Sequence, residues 1–178
     1  MPRPPASGFH GAAGFNSYDY DTNTWTRLLD FGYPPYTGKY DGWGPRRGLV
    51  DTRRRLFFSL GSGGATLVYD IAKAKVVSLD PEWEIAGGEA IGQPAAPGVD
   101  YDPAADALVG WVGGAAYVLP LGVSPKAWHR MAAPGPAVTV TQGTFGRWRY
   151  VSRYNVFLLV RSASENVTFY KHTAGCGP

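Results

Sequence analysis

Two arginine-bearing tracts, Arg46-Arg47 and Arg147-Trp148-Arg149, carry the chemistry this sequence offers most plainly. A guanidinium presents a planar fork of donors that matches carboxylate, sulfate or phosphate oxygens. Just before the first pair lies an aromatic segment, Phe31-Gly-Tyr33-Pro-Pro-Tyr36-Thr-Gly-Lys39-Tyr40-Asp41-Gly-Trp43. Its rings can stack on the apolar faces of sugar rings, with Asp41 or Lys39 available for hydroxyls. Tyr36, Tyr40, Asp41, Trp43, Arg46, Arg47, Arg147, Trp148 and Arg149 are therefore the candidate ligand-binding residues. Carbohydrate, acidic polysaccharide included, is the guest they fit. A structural use of the same residues stands beside this one: the rings fill space between layers, and the arginines bond backbone carbonyls or Asp51 and Asp102.

For catalysis the residues converge less. His10, His129 and His172 are scattered without metal-ligand spacing, and His129 reads as a peripheral polar residue beside Trp128. Glu82, Glu84 and Glu89 share one segment in which an acid and base for glycoside cleavage fit, although nothing sets their separation. A lyase acting on uronic sugars would instead pair Tyr36 or Tyr40 with Arg46. No catalytic residue is assigned. Asp19-Tyr-Asp21-Thr-Asn23 has the oxygen spacing that opens a calcium loop, with Asp30 twelfth, but Thr24 stands where the loop needs glycine. The glycines of Gly61-Ser-Gly-Gly64 precede a strand and no helix follows, which disfavours a phosphate cradle. Neither a metal nor another cofactor is expected.

The elements that must hold these residues are strands. The 178 residues include 24 glycines and 15 prolines at short intervals, with no Ala-, Leu- and Glu-rich stretch at helical spacing, so an all-β chain with almost no helix is expected. A net charge of +3, from 17 Lys and Arg against 14 Asp and Glu, is too mild to imply nucleic acid. The lone cysteine, Cys176, excludes an internal disulfide. No apolar run approaches the roughly 18 residues of a membrane span, and the opening Met1-Pro-Arg-Pro-Pro-Ala-Ser lacks a signal peptide's apolar core. A soluble chain with no membrane partner is expected.

A repeat of about fifty residues organises the rest. The segment Gly48 to Gly64 recurs as Gly98 to Gly114, with Gly63-Gly64 matching Gly113-Gly114, and a third copy, Gly146 to Val160, lacks the double glycine. Each copy reads as strand, polar turn, apolar strand, glycine turn, strand, turn, strand. The turns are Asp51 to Arg55, Asp102 to Asp106 and Ser152 to Asn155. The second strands, Leu56 to Leu60, Leu108 to Val112 and Val156 to Val160, are nearly continuous apolar runs, as expected where neighbours cover both faces. Arg53-Arg54-Arg55 reads as a solvated corner.

On the tract Asn16-Ser-Tyr-Asp-Tyr-Asp-Thr-Asn-Thr-Trp25, carried by Tyr20, Asp21 and Trp25, and on Gly113-Gly114 with Trp128, the chain resembles the kelch family. The resemblance implies a β-propeller of four-stranded antiparallel blades, about three per chain. The corresponding division is an N-terminal segment over 1–16, a partial propeller over 17–172 and a tail over 173–178. Blades would span about 46–80, 97–131 and 146–170, with 17–28 as an outer closing strand. Propellers typically have about four to eight blades, so the implied partner is a second copy completing a six-bladed ring, unless the chain is a fragment of a longer propeller. Saccharide binding on the inter-blade loop face is the leading function. The alternatives are a kelch scaffold for protein interaction and a polysaccharide lyase or glycoside hydrolase.

Overall fold

Aspartates at the strand ends close the polar turns. Asp51 Oδ1 accepts the backbone N–H groups of Arg53 and Arg54 (2.8 and 3.1 Å), and Asp102 Oδ1 accepts those of Ala104 and Ala105 (2.8 and 3.1 Å). Such Asx turns fold the chain back locally. The last turn residue is left-handed in all three copies, at Arg55, Asp106 and Asn155 (φ 58°, 51° and 49°). The repeat in the sequence is thus a repeated turn geometry.

The computed structural model describes residues 14–30, 45–78, 80–132, 144 and 146–174. Two units divide the chain, residues 1–39 and 40–178. In the first, β1 (Gly14–Asp19) pairs antiparallel with β2 (Thr24–Asp30). Asp19 Oδ1 accepts from Asp21 and Thr22 (2.8 and 3.2 Å), and these donors hold its carboxyl below the usual range. Asn23 takes a positive φ of 53° and hydrogen bonds the Tyr18 hydroxyl.

The second unit contains three antiparallel sheets. The first orders β3 (Arg47–Asp51), β4 (Leu56–Gly61), β5 (Gly64–Asp70) and β6 (Lys75–Val76) side by side. After the two-residue β7 (Ile85–Ala86) comes the middle sheet, built of β8 (Gly98–Asp102), β9 (Ala107–Val112) and β10 (Ala115–Pro120). The next segment divides between two sheets: β11 (Lys126–Ala127) pairs in parallel with β7, and β12 (His129–Arg130) completes the middle sheet beside β10. The third sheet has three strands, β13 (Trp148–Val151), β14 (Val156–Leu159) and β15 (Thr168–Tyr170). Among the described residues the only helical pieces are the short turns Glu89–Gly92, Pro81–Trp83 and Ser152–Tyr154.

This all-β arrangement overturns the kelch-like propeller. The sheets are small and separate, each open in strand order, and among the described residues none closes into a barrel or a circle of blades. The tract 17–28, taken as a single outer closing strand, is folded on itself, with Tyr18 opposite Trp25. It is two strands of one hairpin, where the blade reading needs a single strand. The parallel β7–β11 pair belongs to no blade. With no blades to close, neither the two-copy six-bladed ring nor the longer propeller stands.

Two apolar clusters hold the second unit together. Leu56, Phe58 and Leu60 of β4 meet Val99, Tyr101 and Leu108 of the middle sheet in one. Ala107, Val109 and Trp111 of β9 meet Trp148, Phe157 and Leu159 of the third sheet in the other. The middle sheet is therefore covered on both faces, which explains why β9 has no polar side chain. Burying each large aliphatic or aromatic side chain contributes about 1.5–3 kcal/mol.

Between the first and middle sheets lies a polar latch. Arg54 donates to Asp51 Oδ2 (2.9 Å) and to both oxygens of Asp106 (2.6 and 2.5 Å), and the Tyr101 hydroxyl reaches Asp106 (3.3 Å). Burial, with Asp51 and Asp106 beside it, pushes the Tyr101 pKa up to about 12. Hydrogen bonding to Arg54 draws the Asp106 carboxyl below its usual range. Arg54 is thus a bridge between layers, Arg53 also reaches Asp106 (3.6 Å) from an exposed position, and the solvated-corner reading holds only for Arg55, which is exposed. Replacing Arg54 by alanine should lower the unfolding free energy by about 2 kcal/mol, the scale of charge-assisted hydrogen bonds lost around partly buried carboxylates. Arg55→Ala should stay within about 0.5 kcal/mol. Urea unfolding of both variants separates a latch from a solvated corner.

Candidate functional site

Strand alternation places Trp148 and Tyr150 of β13, Phe157 and Leu159 of β14, and Tyr170 of β15 toward the middle sheet. The opposite face carries Val151 paired with Val156, and a cross-strand row of Arg149, Leu158 and Phe169. The turn register makes Val156, Leu158 and Val160 the counterparts of Leu56, Phe58 and Leu60 and of Ala107, Val109 and Trp111. Both of those earlier sets are buried under the next sheet. In the third sheet the same face is open: Val156, Leu158 and Val160 are half-buried, Phe169 is 65% exposed, and Val167 is exposed beside it.

Charge gathers on the same sheet. Residues 146–174 hold five lysines and arginines against one glutamate, in a chain whose total is only +3. Arg149, at the end of the apolar row, lies 3.8 Å from Asp100 with its side chain more than half exposed. Asp100 also faces Arg47 at 4.0 Å, so one carboxylate serves two guanidinium groups. Burial lowers the Arg47 pKa, against the pull of Asp100 and with the repulsion of Arg149.

The candidate ligand-binding residues are not brought together as one site. Tyr36, Tyr40, Asp41 and Trp43 lie outside the described residues. Arg46 donates to Ser59 Oγ and to the carbonyls of Ser59, Gly61 and Ala65 (2.7–3.1 Å). Arg47 donates to the Val99 carbonyl, and Arg147 to those of Thr144 and Arg161. These arginines tie strands and sheets to one another, the structural use already open to them. Trp148, 1% exposed, is stacked between Trp111 and Phe157 and donates to the Val109 carbonyl at 2.9 Å, so its ring offers no face to a solute. Among the described candidates, Arg149 alone presents its head group to solvent. Without a propeller there is no inter-blade loop face to host a saccharide or acidic polysaccharide, a kelch-type interaction, or a lyase or hydrolase site. Among the described residues no group of three or more His, Cys, Asp or Glu is placed to hold a metal, and no helix is long and apolar enough to cross a membrane.

Sequence reasoning missed a second latch. Asp102, fully buried, faces His172 Nε2 at 3.5 Å, and neither that nitrogen nor Asp102 Oδ2 has a hydrogen-bond partner. The Tyr150 hydroxyl donates to Asn155 (3.1 Å), and its pKa is pushed up to about 12 by burial and by Asp102. Asn155 in turn donates to Thr173 (3.0 Å), while the rings of Phe157 and Tyr170 flank the imidazole. His172 thus packs the chain just after β15 against the middle sheet. The one signal available was position, since Asp102 corresponds to Asp51 and so needs a partner.

No protein-family model matches this sequence, and no curated protein or solved structure matches it.

Burial lowers the His172 pKa below its ordinary 6.5, with Asp102 opposing. Above that value both folded and unfolded chains carry a neutral imidazole. As pH falls through it, the unfolded chain takes up the proton more readily, so stability declines toward the lower, folded-state pKa. His172→Gln should remove this share of the acid sensitivity. Urea midpoints measured from pH 8 to pH 5 should therefore fall more steeply for the parent chain than for the variant.

Proposed function

We propose that this chain is a binding module that docks a partner through the outer face of its third sheet. The observation that carries the reading is the fate of one structural position. In the first two sheets the face bearing the second-strand side chains is covered by the next sheet, whereas in the third it meets solvent with the same kind of residues. A contiguous apolar patch beside charged residues is what interaction sites present. The row Arg149, Leu158 and Phe169 places an aromatic anchor and an arginine together, the residue types that dominate binding energy when buried by a partner.

A photo-crosslinking amino acid at Phe169 should give a discrete adduct with a partner protein in a native extract. The same group at Thr52, an exposed turn residue of the first sheet, should not. Because Phe169 is exposed, the substitution should move stability by no more than about 0.5 kcal/mol. Equal labelling from both positions, or none from Phe169, would remove the reading.

A further inference from the structure

The geometry points to an acidic, apolar-bearing segment of a partner protein as the occupant of the third sheet's outer face, an inference that rests on the docking reading above. Three observations narrow the occupant. The first is charge. Five cationic side chains and one glutamate give residues 146–174 a net positive charge, while the rest of the chain is slightly acidic. Arg149 stands in the same cross-strand row as Leu158 and Phe169, and the carboxylate near it is shared with Arg47. Surfaces of opposite sign steer encounter and suppress wrong partners.

The second observation excludes another sheet of the chain's own kind. The first sheet latches the middle one through Asp51, and the middle sheet latches the third through Asp102. The register puts Val151 in that position in the third sheet, opposite Val156 as Asp51 is opposite Leu56 and Asp102 opposite Ala107. No carboxylate is present there to face the tyrosine of a following layer. A second copy face to face would also set like charges against each other.

The third is spacing. Neighbouring strands lie about 4.8 Å apart, so the row from Arg149 to Phe169 spans about 10 Å, while alternate side chains of an extended segment are about 7 Å apart on one face. A segment with apolar and acidic residues at alternate positions of one face reaches both the Leu158–Phe169 pair and Arg149.

NMR titration of the full chain tests this with two peptides. One repeats leucine–serine–glutamate–serine, which puts leucine and glutamate on one face when extended, and the other has lysine for glutamate. The expected result is shifts at the Arg149, Leu158 and Phe169 amides, with the acidic peptide bound at least about tenfold more tightly. Binding should weaken from about 0.1 to 1 M salt, over which the screening length falls from about 10 to about 3 Å. Arg149→Glu, at an exposed position, should invert the preference, and Phe169→Asp should weaken both peptides. Shifts at these amides with equal or greater affinity for the basic peptide would overturn the acidic partner while leaving the docking face in place. Self-association in sedimentation that Phe169→Asp abolishes would assign the face to a second copy, with the same consequence. Shifts absent from these amides with either peptide would overturn the inference and the docking reading together.

Discussion

Two buried carboxylates, Asp51 and Asp102, set the constraint on which the layered unit depends. Neither has any solvent exposure, and a bare buried carboxylate costs several kcal/mol. Each offsets that cost by closing its own turn through backbone donors and by facing a tyrosine, a turn residue and a basic side chain around the sheet-to-sheet junction. Apolar packing alone is non-directional and would let stacked sheets slide. The latches fix where each sheet sits on its neighbour, because Tyr101 and Tyr150 come from the sheet that follows. Gly98 then allows the middle and third sheets to approach, since a Cβ there would lie 2.7 Å from that of Trp148.

What was legible in the sequence was whatever is encoded locally. The apolar runs around Phe58, Val109 and Phe157 announced strands with two faces to cover, and the turns between Asp51 and Arg55 and between Asp102 and Asp106 announced where the chain reverses. The failure at Tyr18 to Leu28 has a local cause too. Resemblance to a kelch outer strand was carried by Tyr20, Asp21 and Trp25, but Asp19 and Asn23 close a turn between those very residues. Short-range closure has little loop entropy to overcome, so self-pairing prevails over a distant partner. Arg54 with Asp106 and His172 with Asp102 were illegible for the opposite reason: the partners are far apart in sequence and meet only once the sheets stack.

Residue type proved a weaker guide to the site than strand parity. Trp148 and Phe169 are both aromatic and both belong to the third sheet. Trp148 pairs with Leu159 and lies inside; Phe169 pairs with Leu158, one residue earlier on the same strand, and lies outside. Since side chains alternate along a strand, a shift of one residue exchanges core for surface. The arginines divide by a related rule. Arg46, Arg47 and Arg147 have carbonyl acceptors within reach and turn to them, whereas the head group of Arg149 has only a shared carboxylate at 3.8 Å and remains largely in water.

The composition of the open face separates it from a simple end cap. Stacked repeat structures commonly finish on a polar outer face, because an apolar one adheres to whatever it meets. Here Val156, Leu158 and Phe169 keep the character of a covered face, while the latch carboxylate that would call for another layer is replaced by Val151. An end sheet under pressure only for solubility would lose the apolar row, and one built to continue the stack would retain the aspartate. Retaining the first without the second, in a segment of net positive charge, suits a surface that resists its own kind and accepts a partner of opposite charge.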